Sequence, residues 1–489
     1  MSERGGKRIQ VKAAGREQMS VAKDFDLIVL GGGSAGFAAA IRGAEAGKRV
    51  ALVEASTIGG TCVNVGCVPS KTLIAAARVR DSAARPAFLG LGVEAGTRDW
   101  TQVQGQKTAL VDELRQAKYV DVLAAYPEIE WIAGHGVVTG VDPVSVSVAG
   151  ARVTAPALVV ATGARPWAPP VAGLADTPYW TSTDALGADR LPDHLIVLGG
   201  SAVGLEIGQA YHRMNVRVTV LEVMNRLVPA EDPDVSAGLT EALAQEGLSV
   251  LSGVQVERVS FEAGQFTVLA HLEGRSQTFS GDRLLVATGR RPNTVGFGLE
   301  EVGVALDPRG AIQVDEHMAS SVPSIYAAGD VTGHAMFVYV AAAEGTLAAG
   351  HALRLDAGRE DLKAVPRVTF TDPQVASVGM TEVEARARGI AYDCRVLPMS
   401  YVPRALANRD TRGLVKLVVE QKTERILGVH VLAPDAGEMI TAGVIAVRYE
   451  MTLEDLTSLY FPYLTAGEGL KLAALTFHKD VSKLSCCAG

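Results

Sequence analysis

A glycine-rich turn between a short apolar run and an alanine-rich helix limits the possible folds of this chain more than any other feature. The turn Gly31-Gly32-Gly33-Ser34-Ala35-Gly36 follows the apolar run 25–30, and a second predicted strand, 49–53, ends at Glu54. Glycines there let the backbone approach a pyrophosphate, which lies on the helix N-terminus, and the later carboxylate accepts hydrogen bonds from a ribose. We therefore predict a parallel α/β domain that binds a dinucleotide. The expected contacts are Gly31, Gly33, Ser34, Ala35, Gly36 and Glu54.

A second turn of this kind begins at Gly199 and ends at Gly204, with Ser201 in place of the middle glycine. The next predicted strand, 216–221, ends at Glu222, a carboxylate that suits the free ribose hydroxyls of NADH. Facing the 2′-phosphate of NADPH, it would be repelled by up to a few kcal/mol at about 4 Å and an effective dielectric of ~20. Arg226 is close enough in sequence to relieve part of this repulsion, so the sequence leaves the choice between NADH and NADPH open.

An internal similarity supports two related nucleotide domains. Residues 157–163 and 284–289 are both apolar strands that end in Thr-Gly, at Gly163 and at Gly289. A single repeat of this length indicates a duplicated domain rather than a solenoid.

Two cysteines five residues apart, Cys62 and Cys67, follow Gly60-Thr61 and precede Lys71. Such a pair alone is as often structural as reactive, because free cysteine is among the most buried residue types. Here it begins eight residues after Glu54, so the thiols should lie beside the dinucleotide. We predict a redox-active dithiol, which requires a nearby electron source and a lowered thiol pKa.

Composition narrows the class of protein. A net charge of −8 over 489 residues argues against nucleic acid or a membrane surface as a partner. Basic residues gather in the first 23 positions, but without an apolar core, so a flexible tail is expected there rather than a secretory signal. Five cysteines in so long a chain do not indicate a secreted disulfide framework, and a cytoplasmic protein is expected.

In this order the motifs resemble those of the flavoprotein disulfide oxidoreductases, which include glutathione reductase, dihydrolipoamide dehydrogenase and mercuric reductase. The resemblance runs from about Asp24 to the C-terminus. It implies FAD at the first site and NAD(P)H at the second, with Cys67 as the flavin-side thiol and Cys62 as the exchanging one. It also assigns further residues to the FAD site and to the NAD(P)H side. These are Gly60, Thr61, Lys71, Gly163 and Asp330 for FAD, and Glu206, which pairs with Lys71, and Gly289 for NAD(P)H.

The fold class implied is α/β, with two Rossmann-like dinucleotide-binding domains, for FAD and NAD(P)H, and a C-terminal α+β dimerisation domain. A homodimer with an active site shared between subunits follows from the same resemblance.

We also expect a long helix over 100–125, β hairpins over 130–153 and a helix over 467–481. The expected ranges are a flexible N-terminal tail at 1–23, the FAD-binding domain at 24–163, the NAD(P)H-binding domain at 164–290, the second part of the FAD-binding and central domain at 291–363, and the dimerisation domain with a Cys-Cys tail at 364–489.

The C-terminal region indicates the substrate. Disulfide reductases of this family carry a proton-shuttling histidine in a His-Pro-Thr-x-x-Glu element, and the aligned stretch here runs from Tyr463 to Glu468. A phenol with a pKa near ten is a poor base at neutral pH, so a disulfide substrate is disfavoured. The adjacent Cys486 and Cys487 are soft ligands for soft metal ions.

Both features resemble the mercuric reductases within the family. The resemblance implies that Hg(II), as a thiol complex, is taken by Cys486 and Cys487 of the partner subunit and passed to Cys62 and Cys67, with Tyr463 contacting the ion. Two alternatives stay open at this point: a disulfide reductase resembling the large thioredoxin reductases, which also end in a redox pair, and a non-catalytic thiol protein that sequesters soft metal.

Overall fold

The computed structural model describes residues 23–96 and 99–483. Two parallel sheets, each accompanied by an antiparallel meander, precede an antiparallel sheet near the C-terminus. The fold class expected from the sequence is confirmed. The tail expected over residues 1–23 lies, apart from its last residue, outside the described part of the chain.

The first parallel sheet carries the first glycine-rich turn. Strand 27–30 is buried along its whole length because it has neighbours on both sides, helices on one face and the β meander on the other. In spatial order the strands are β18 (Ile325–Ala327), β8 (Leu158–Val160), β2 (Leu27–Leu30), β3 (Val50–Glu54) and β4 (Ile129–Ala133). The helices around this sheet are α1 (Ser34–Glu45), α2 (Gly60–Val65), α3 (Cys67–Ala84), α4 (Trp100–Arg115), α5 (Asp121–Ala125) and α9 (Val338–Ala352).

The prediction of β hairpins over 130–153 is only partly correct. Strand β4 takes up the start of this range and pairs with β3 in parallel, because its one buried residue, Ile129, packs into the core beneath the sheet. The remaining strands form the meander, in which the first strand pairs in parallel with the last and the other pairs are antiparallel. They are β1 (Lys23–Asp24), β5 (Gly136–Val141), β6 (Val144–Val148) and β7 (Ala151–Ala155).

The helix expected over 100–125 is continuous in direction but not in hydrogen-bond pattern. Helix α4 passes into a π-helical turn, Gln116–Val120, before α5 begins. A π-turn inserts a residue into the helix and often marks a functional site. Tyr119 lies within this turn.

The second parallel sheet repeats the design of the first. Its strands, in spatial order, are β12 (Ser249–Ser252), β11 (Arg217–Glu222), β10 (His194–Leu198) and β16 (Arg283–Val286). The accompanying helices are α6 (Ser182–Leu186), α7 (Ala202–Arg213) and α8 (Pro233–Glu246), and the meander consists of β13 (Gln255–Glu262), β14 (Gln265–Leu272) and β15 (Arg275–Gly281). An antiparallel ribbon of β9 (Ala164–Pro166) and β17 (Arg290–Pro292) connects the two units.

The C-terminal sheet is antiparallel throughout and packs against helices on one face. Its strands, in spatial order, are β19 (Arg367–Thr369), β20 (Gln374–Gly379), β23 (Ile426–Ala433), β22 (Leu414–Glu420) and β21 (Tyr392–Pro398). The helices are α10 (Glu382–Ala387), α11 (Pro403–Asn408), α12 (Ala436–Arg448), α13 (Leu453–Ser458) and α14 (Glu468–Leu475).

Helix α14 is shorter than the helix expected over 467–481. The Thr476 hydroxyl donates a hydrogen bond of 2.7 Å to the Ala473 carbonyl, which offers the backbone an alternative to further helix. Across the described ranges, no helix has both the length and the apolar character that crossing a bilayer requires.

Candidate active site

The dithiol lies at the junction of two helices. Cys62 is in α2 and half-buried, whereas Cys67 begins α3 and is exposed. Gly66 separates the helices, and a Cβ atom there would lie 2.9 Å from the Thr61 carbonyl oxygen. Neither cysteine forms a disulfide in the structure.

The two thiols differ in acidity. The pKa of Cys67 falls to about 7, chiefly because the Cys62 thiol donates a hydrogen bond to its sulfur and further because of the charge on Lys71, while burial opposes both. The same hydrogen bond raises the pKa of Cys62, and burial raises it further. With a pKa of about 7, Cys67 is partly thiolate at neutral pH, whereas Cys62 keeps its proton.

Lys71 is held in place by residues from two other parts of the fold. Its Nζ atom lies 2.7 Å from Oε2 of Glu206 on α7 and 4.5 Å from the centre of the Phe370 ring. The other carboxylate oxygen of Glu206 accepts a hydrogen bond of 2.9 Å from the Phe370 N–H. The sequence predicted the Lys71–Glu206 pair but not the contribution of Phe370.

Tyr119 is a site residue that the sequence analysis missed. Its ring packs edge-to-face on Phe37 with centroids 4.8 Å apart, and a Cβ atom at Gly59 would lie 3.2 Å from its Cδ2. Burial raises the pKa of Tyr119, the negative charge of the dithiol adds to this, and a hydrogen bond with the Ser34 side chain opposes it. A neutral phenol therefore stands beside the dithiol. A tyrosine inside a predicted amphipathic helix gives no signal of this role, because only the π-turn directs it there.

The first glycine-rich turn has the geometry of a phosphate cradle. Gly31 has φ +106°, and a Cβ atom there would lie 2.2 Å from the Ala161 carbonyl oxygen. A Cβ atom at Gly60 would lie 2.6 Å from the Gly33 Cα, so the dithiol loop touches the turn backbone to backbone. Glu54 accepts hydrogen bonds of 2.6 Å from the Gly32 N–H and 2.7 Å from the Ser56 N–H. The bare glycines at the start of α1 fit a dinucleotide such as FAD.

Asp330 is a second acidic residue predicted for the FAD site. It begins a 3-10 turn after β18, and burial raises its pKa, an effect opposed by the Arg290 guanidinium at 3.9 Å and reinforced by Glu344. Gly163, at the end of β8, has φ +70° and open space on its Cβ side. The carboxylate and the open glycine lie where a ribityl chain could be received.

The second glycine-rich turn repeats the first. Gly199 has φ +112°, and a Cβ atom there would lie 2.4 Å from the Ala287 carbonyl oxygen. Glu222 accepts hydrogen bonds of 2.5 Å from the Gly200 N–H and 2.7 Å from the Met224 N–H, as Glu54 does in the first unit. Arg226 instead donates to the Pro229 carbonyl at 2.9 Å, so its guanidinium is engaged with the backbone.

A cavity of about 590 Å³ opens at this turn. Four of the residues predicted for the nicotinamide dinucleotide line it, namely Gly199, Ser201, Glu222 and Gly289. Gly204 and Glu206 lie on α7 behind the turn and are buried. The polar carboxylate and the apolar walls of the cavity fit a nucleotide.

The predicted C-terminal site residues within the described part of the chain lie at helix α14 and in the loop before it. Tyr463 is 53% exposed, in the loop before α14. Burial raises the pKa of Glu468, and its Oε2 atom has no hydrogen-bond partner among the described residues. Cys486 and Cys487 lie outside the described residues.

Comparisons with known proteins agree with this geometry. The family described as pyridine nucleotide-disulphide oxidoreductase matches residues 25–345, and its dimerisation domain matches residues 365–474. The mercuric reductase of Shigella flexneri is 47% identical over 474 residues, covering 95% of this chain and 82% of the relative. That of Streptomyces lividans is 46% identical over 472 residues, covering 95% and 98%.

Two solved structures have the same fold. RclA, an HOCl-induced flavoprotein disulfide reductase from Escherichia coli, superposes with a TM-score of 0.82 at 32% identity, covering 93% of this chain and all of the other. LpdA from Mycobacterium tuberculosis superposes with a TM-score of 0.82 at 29% identity, covering 94% and 100%.

Proposed function

The chain belongs to the pyridine nucleotide-disulphide oxidoreductase family, and we propose that within it this protein is a mercuric reductase, which reduces Hg(II) to Hg(0). The observation that carries the proposal is the similarity to mercuric reductases over about 95% of the chain. The residues support it, because two sulfurs stand together at Cys62 and Cys67 while tyrosine occupies position 463. Sulfur ligands suit a soft ion, and a site without a proton-shuttling histidine does not suit a disulfide.

The enzyme uses FAD and NAD(P)H. Residues of the first glycine-rich turn, with Glu54 and Asp330, would hold FAD, and Gly199, Ser201, Glu222 and Gly289 would hold the nicotinamide dinucleotide. When bound, the two cofactors supply electron pairs that reduce first the Cys62–Cys67 disulfide and then the metal ion. The overall reaction balances as NAD(P)H and Hg(II) giving NAD(P)⁺, H⁺ and Hg(0).

The protein side of the reaction follows from the acidity of the two thiols. Cys67 meets the incoming Hg(II) as a thiolate, and Cys62 loses its proton as the ion replaces the hydrogen bond between the sulfurs. The ion is then held by two thiolates beside the positive charge of Lys71. Hg(0) has little affinity for thiolates and leaves once the electron pair has been transferred.

Tyr119 and Tyr463 are proposed to face the bound ion. Tyr119 keeps its proton because of burial and the negative charge of the dithiol, so it can hydrogen-bond a sulfur ligand without competing as a base. Tyr463 is proposed to approach from the partner subunit, with Glu468 behind it in the same loop and helix.

The protein is a homodimer, since its C-terminal part is a dimerisation domain of this family. The shared active site is part of the proposal, and an exposed apolar surface around Tyr463 supports it. Leu459 is 46%, Tyr460 102% and Leu464 37% exposed in one subunit, which leaves them available to a partner. Cys486 and Cys487 of the partner subunit would then deliver Hg(II) to Cys62 and Cys67 by thiol exchange.

The proposal places the enzyme in the cytoplasm, because its reaction draws on NAD(P)H and free thiols. The nicotinamide dinucleotide is proposed as either NADH or NADPH. Glu222 favours NADH, and the engagement of Arg226 with backbone carbonyls favours NADH as well.

The test is NAD(P)H oxidation by the purified yellow protein with HgCl2 and excess small thiol. Parallel assays use oxidised glutathione, lipoamide and thioredoxin. Turnover that depends on Hg(II), releases volatile Hg(0) and is absent with the disulfides is expected. Reduction of thioredoxin with inhibition by mercury would instead identify a disulfide reductase, and a flavin that NAD(P)H fails to bleach would identify a metal-sequestering protein.

A further inference from the structure

A histidine and two glutamates meet away from the dithiol. His334 follows the Asp330 turn, Glu344 lies on α9, and Glu360 lies in the segment that leads to the C-terminal sheet. The Nδ1 atom of His334 is 3.4 Å from Oε1 of Glu344 and 3.2 Å from Oε1 of Glu360. The three ligand atoms all lie within 4.8 Å of one another, and this is the one such cluster of three or more among the described residues.

These distances match the spacing of ligands around a metal ion. With metal–ligand bonds of about 2.1 Å, neighbouring ligand atoms in tetrahedral or octahedral sites lie about 3.0 to 3.4 Å apart. Both contacts of His334 fall in this range. Small movements of the Glu344 and Glu360 side chains would bring their two ligand oxygens to the same spacing from each other.

Both carboxylates of this cluster are largely buried. The Glu344 side chain is 2% exposed and that of Glu360 is 14% exposed. Among the described residues, no lysine or arginine forms an ion pair with either carboxylate, and His334 is shared by both.

The cluster is also anchored on a rigid part of the fold. The second oxygen of Glu344 accepts a hydrogen bond of 2.6 Å from the Gly329 N–H, which leaves Oε1 directed towards His334. The Glu360 N–H donates a bond of 3.0 Å to the Glu316 carbonyl. The His334 side chain is 30% exposed and provides an entry path.

We propose that His334, Glu344 and Glu360 bind one divalent metal ion of the Mn²⁺ class in each subunit. Two carboxylates and an imidazole are ligands for hard to borderline first-row ions, and water completes the coordination. Such an ion ties the 353–366 segment to α9 and to the Asp330 turn. The site differs from the dithiol in ligand chemistry, because Mn²⁺ has little affinity for sulfur and Hg(II) strongly prefers it.

The test is a titration of the oxidised holoenzyme with Mn²⁺, followed by the loss of the electron paramagnetic resonance signal of free Mn²⁺. Oxidised enzyme is used so that the dithiol offers no ligands. The wild type is expected to bind one ion per subunit, and Glu360→Gln and His334→Ala to weaken binding by at least about tenfold. Glu301→Gln, an exposed glutamate of the same unit, is the matched control and should bind as the wild type does.

Two results would overturn the proposal: a wild type that leaves the free Mn²⁺ signal unchanged at millimolar concentration, or a Glu360→Gln variant that binds with unaltered affinity. Flavin content and visible spectrum show that each variant is folded. Glu360→Gln is the primary variant because its side chain makes no contact with Gly329, so its folding does not depend on that hydrogen bond.

Discussion

The ammonium group of Lys71 lies 2.7 Å from a carboxylate oxygen of Glu206, 135 positions further along the chain. This ion pair joins the dithiol helix α3 to α7 of the second nucleotide unit. The N–H and the ring of Phe370, in the loop after β19, complete the contact. The lysine that lowers the pKa of Cys67 is therefore positioned by residues from two other parts of the fold.

Lys71→Met should raise the pKa of Cys67, because it removes a positive charge that favours the thiolate. The midpoint of iodoacetamide alkylation of the reduced enzyme should move to higher pH. Lys422→Met, at an exposed position of the C-terminal unit, should leave the midpoint in place. An unchanged midpoint in Lys71→Met would mean that the hydrogen bond from Cys62 alone sets the acidity.

Cys62→Ala should raise the pKa of Cys67 from about 7, since the hydrogen bond that contributes most to the lowering is lost. Thiolate forms above the pKa, so alkylation of Cys67 should rise around pH 7 in the wild type and at higher pH in the variant. Cys62→Ser keeps a donor and should fall between the two. If Cys62→Ala matches the wild type, the thiols are not coupled.

Tyr119→Phe should lower the turnover of Hg(II) by roughly tenfold, the effect of losing about 1.4 kcal/mol of hydrogen bonding in the reacting complex. Reduction of the enzyme by NAD(P)H should be little affected. Tyr126→Phe, whose hydroxyl contacts the exposed Glu45, serves as the control. Stopped-flow measurement of flavin absorbance separates the two steps, and equal losses in both would indicate a structural role.

The double substitution Cys486→Ala and Cys487→Ala should raise the KM for Hg(II) most when competing thiols complex the ion. The expected reason is that the tail acts by ligand exchange. Steady-state kinetics at low and high concentrations of a small thiol measure this dependence. Kinetics unchanged at both concentrations would remove the tail from the mechanism.

Gly31→Ala should destabilise the protein more than Gly47→Ala does. Both glycines have positive φ, which costs about 1–2 kcal/mol for alanine. Only at Gly31 would the new Cβ also meet a carbonyl oxygen, at 2.2 Å, whereas nothing lies within 4 Å of it at Gly47. Urea unfolding compares the two variants, and Gly31→Ala should also lower FAD content. Equal losses of stability would mean that the backbone at Gly31 can shift to make room.

The fold and the position of the dithiol were predictable because their signals are local. A glycine-rich turn between an apolar run and a helix needs only about thirty consecutive residues to be recognised, and both copies here form the predicted strand, turn and helix. The domain boundaries and the roles assigned to individual site residues remain predictions.

Where the pattern was ambiguous, the sequence misled. Residues 130–133 lie in the range expected to form hairpins and instead form the edge of the parallel sheet, paired with β3. The helix expected to reach 481 ends at Leu475, where a threonine hydroxyl bonds to a backbone carbonyl.

The sequence by itself determined the order of the motifs, two nucleotide units with a dithiol beside the first, since each is set by residues adjacent in the chain. Only the tertiary structure decided which distant side chains meet, both around that dithiol and away from it. Tyr119 reaches it through a π-turn, Phe370 supports Lys71 from a loop beside the C-terminal sheet, and His334, Glu344 and Glu360 meet across three segments. Such contacts depend on how separate elements pack, and no spacing within the sequence encodes them.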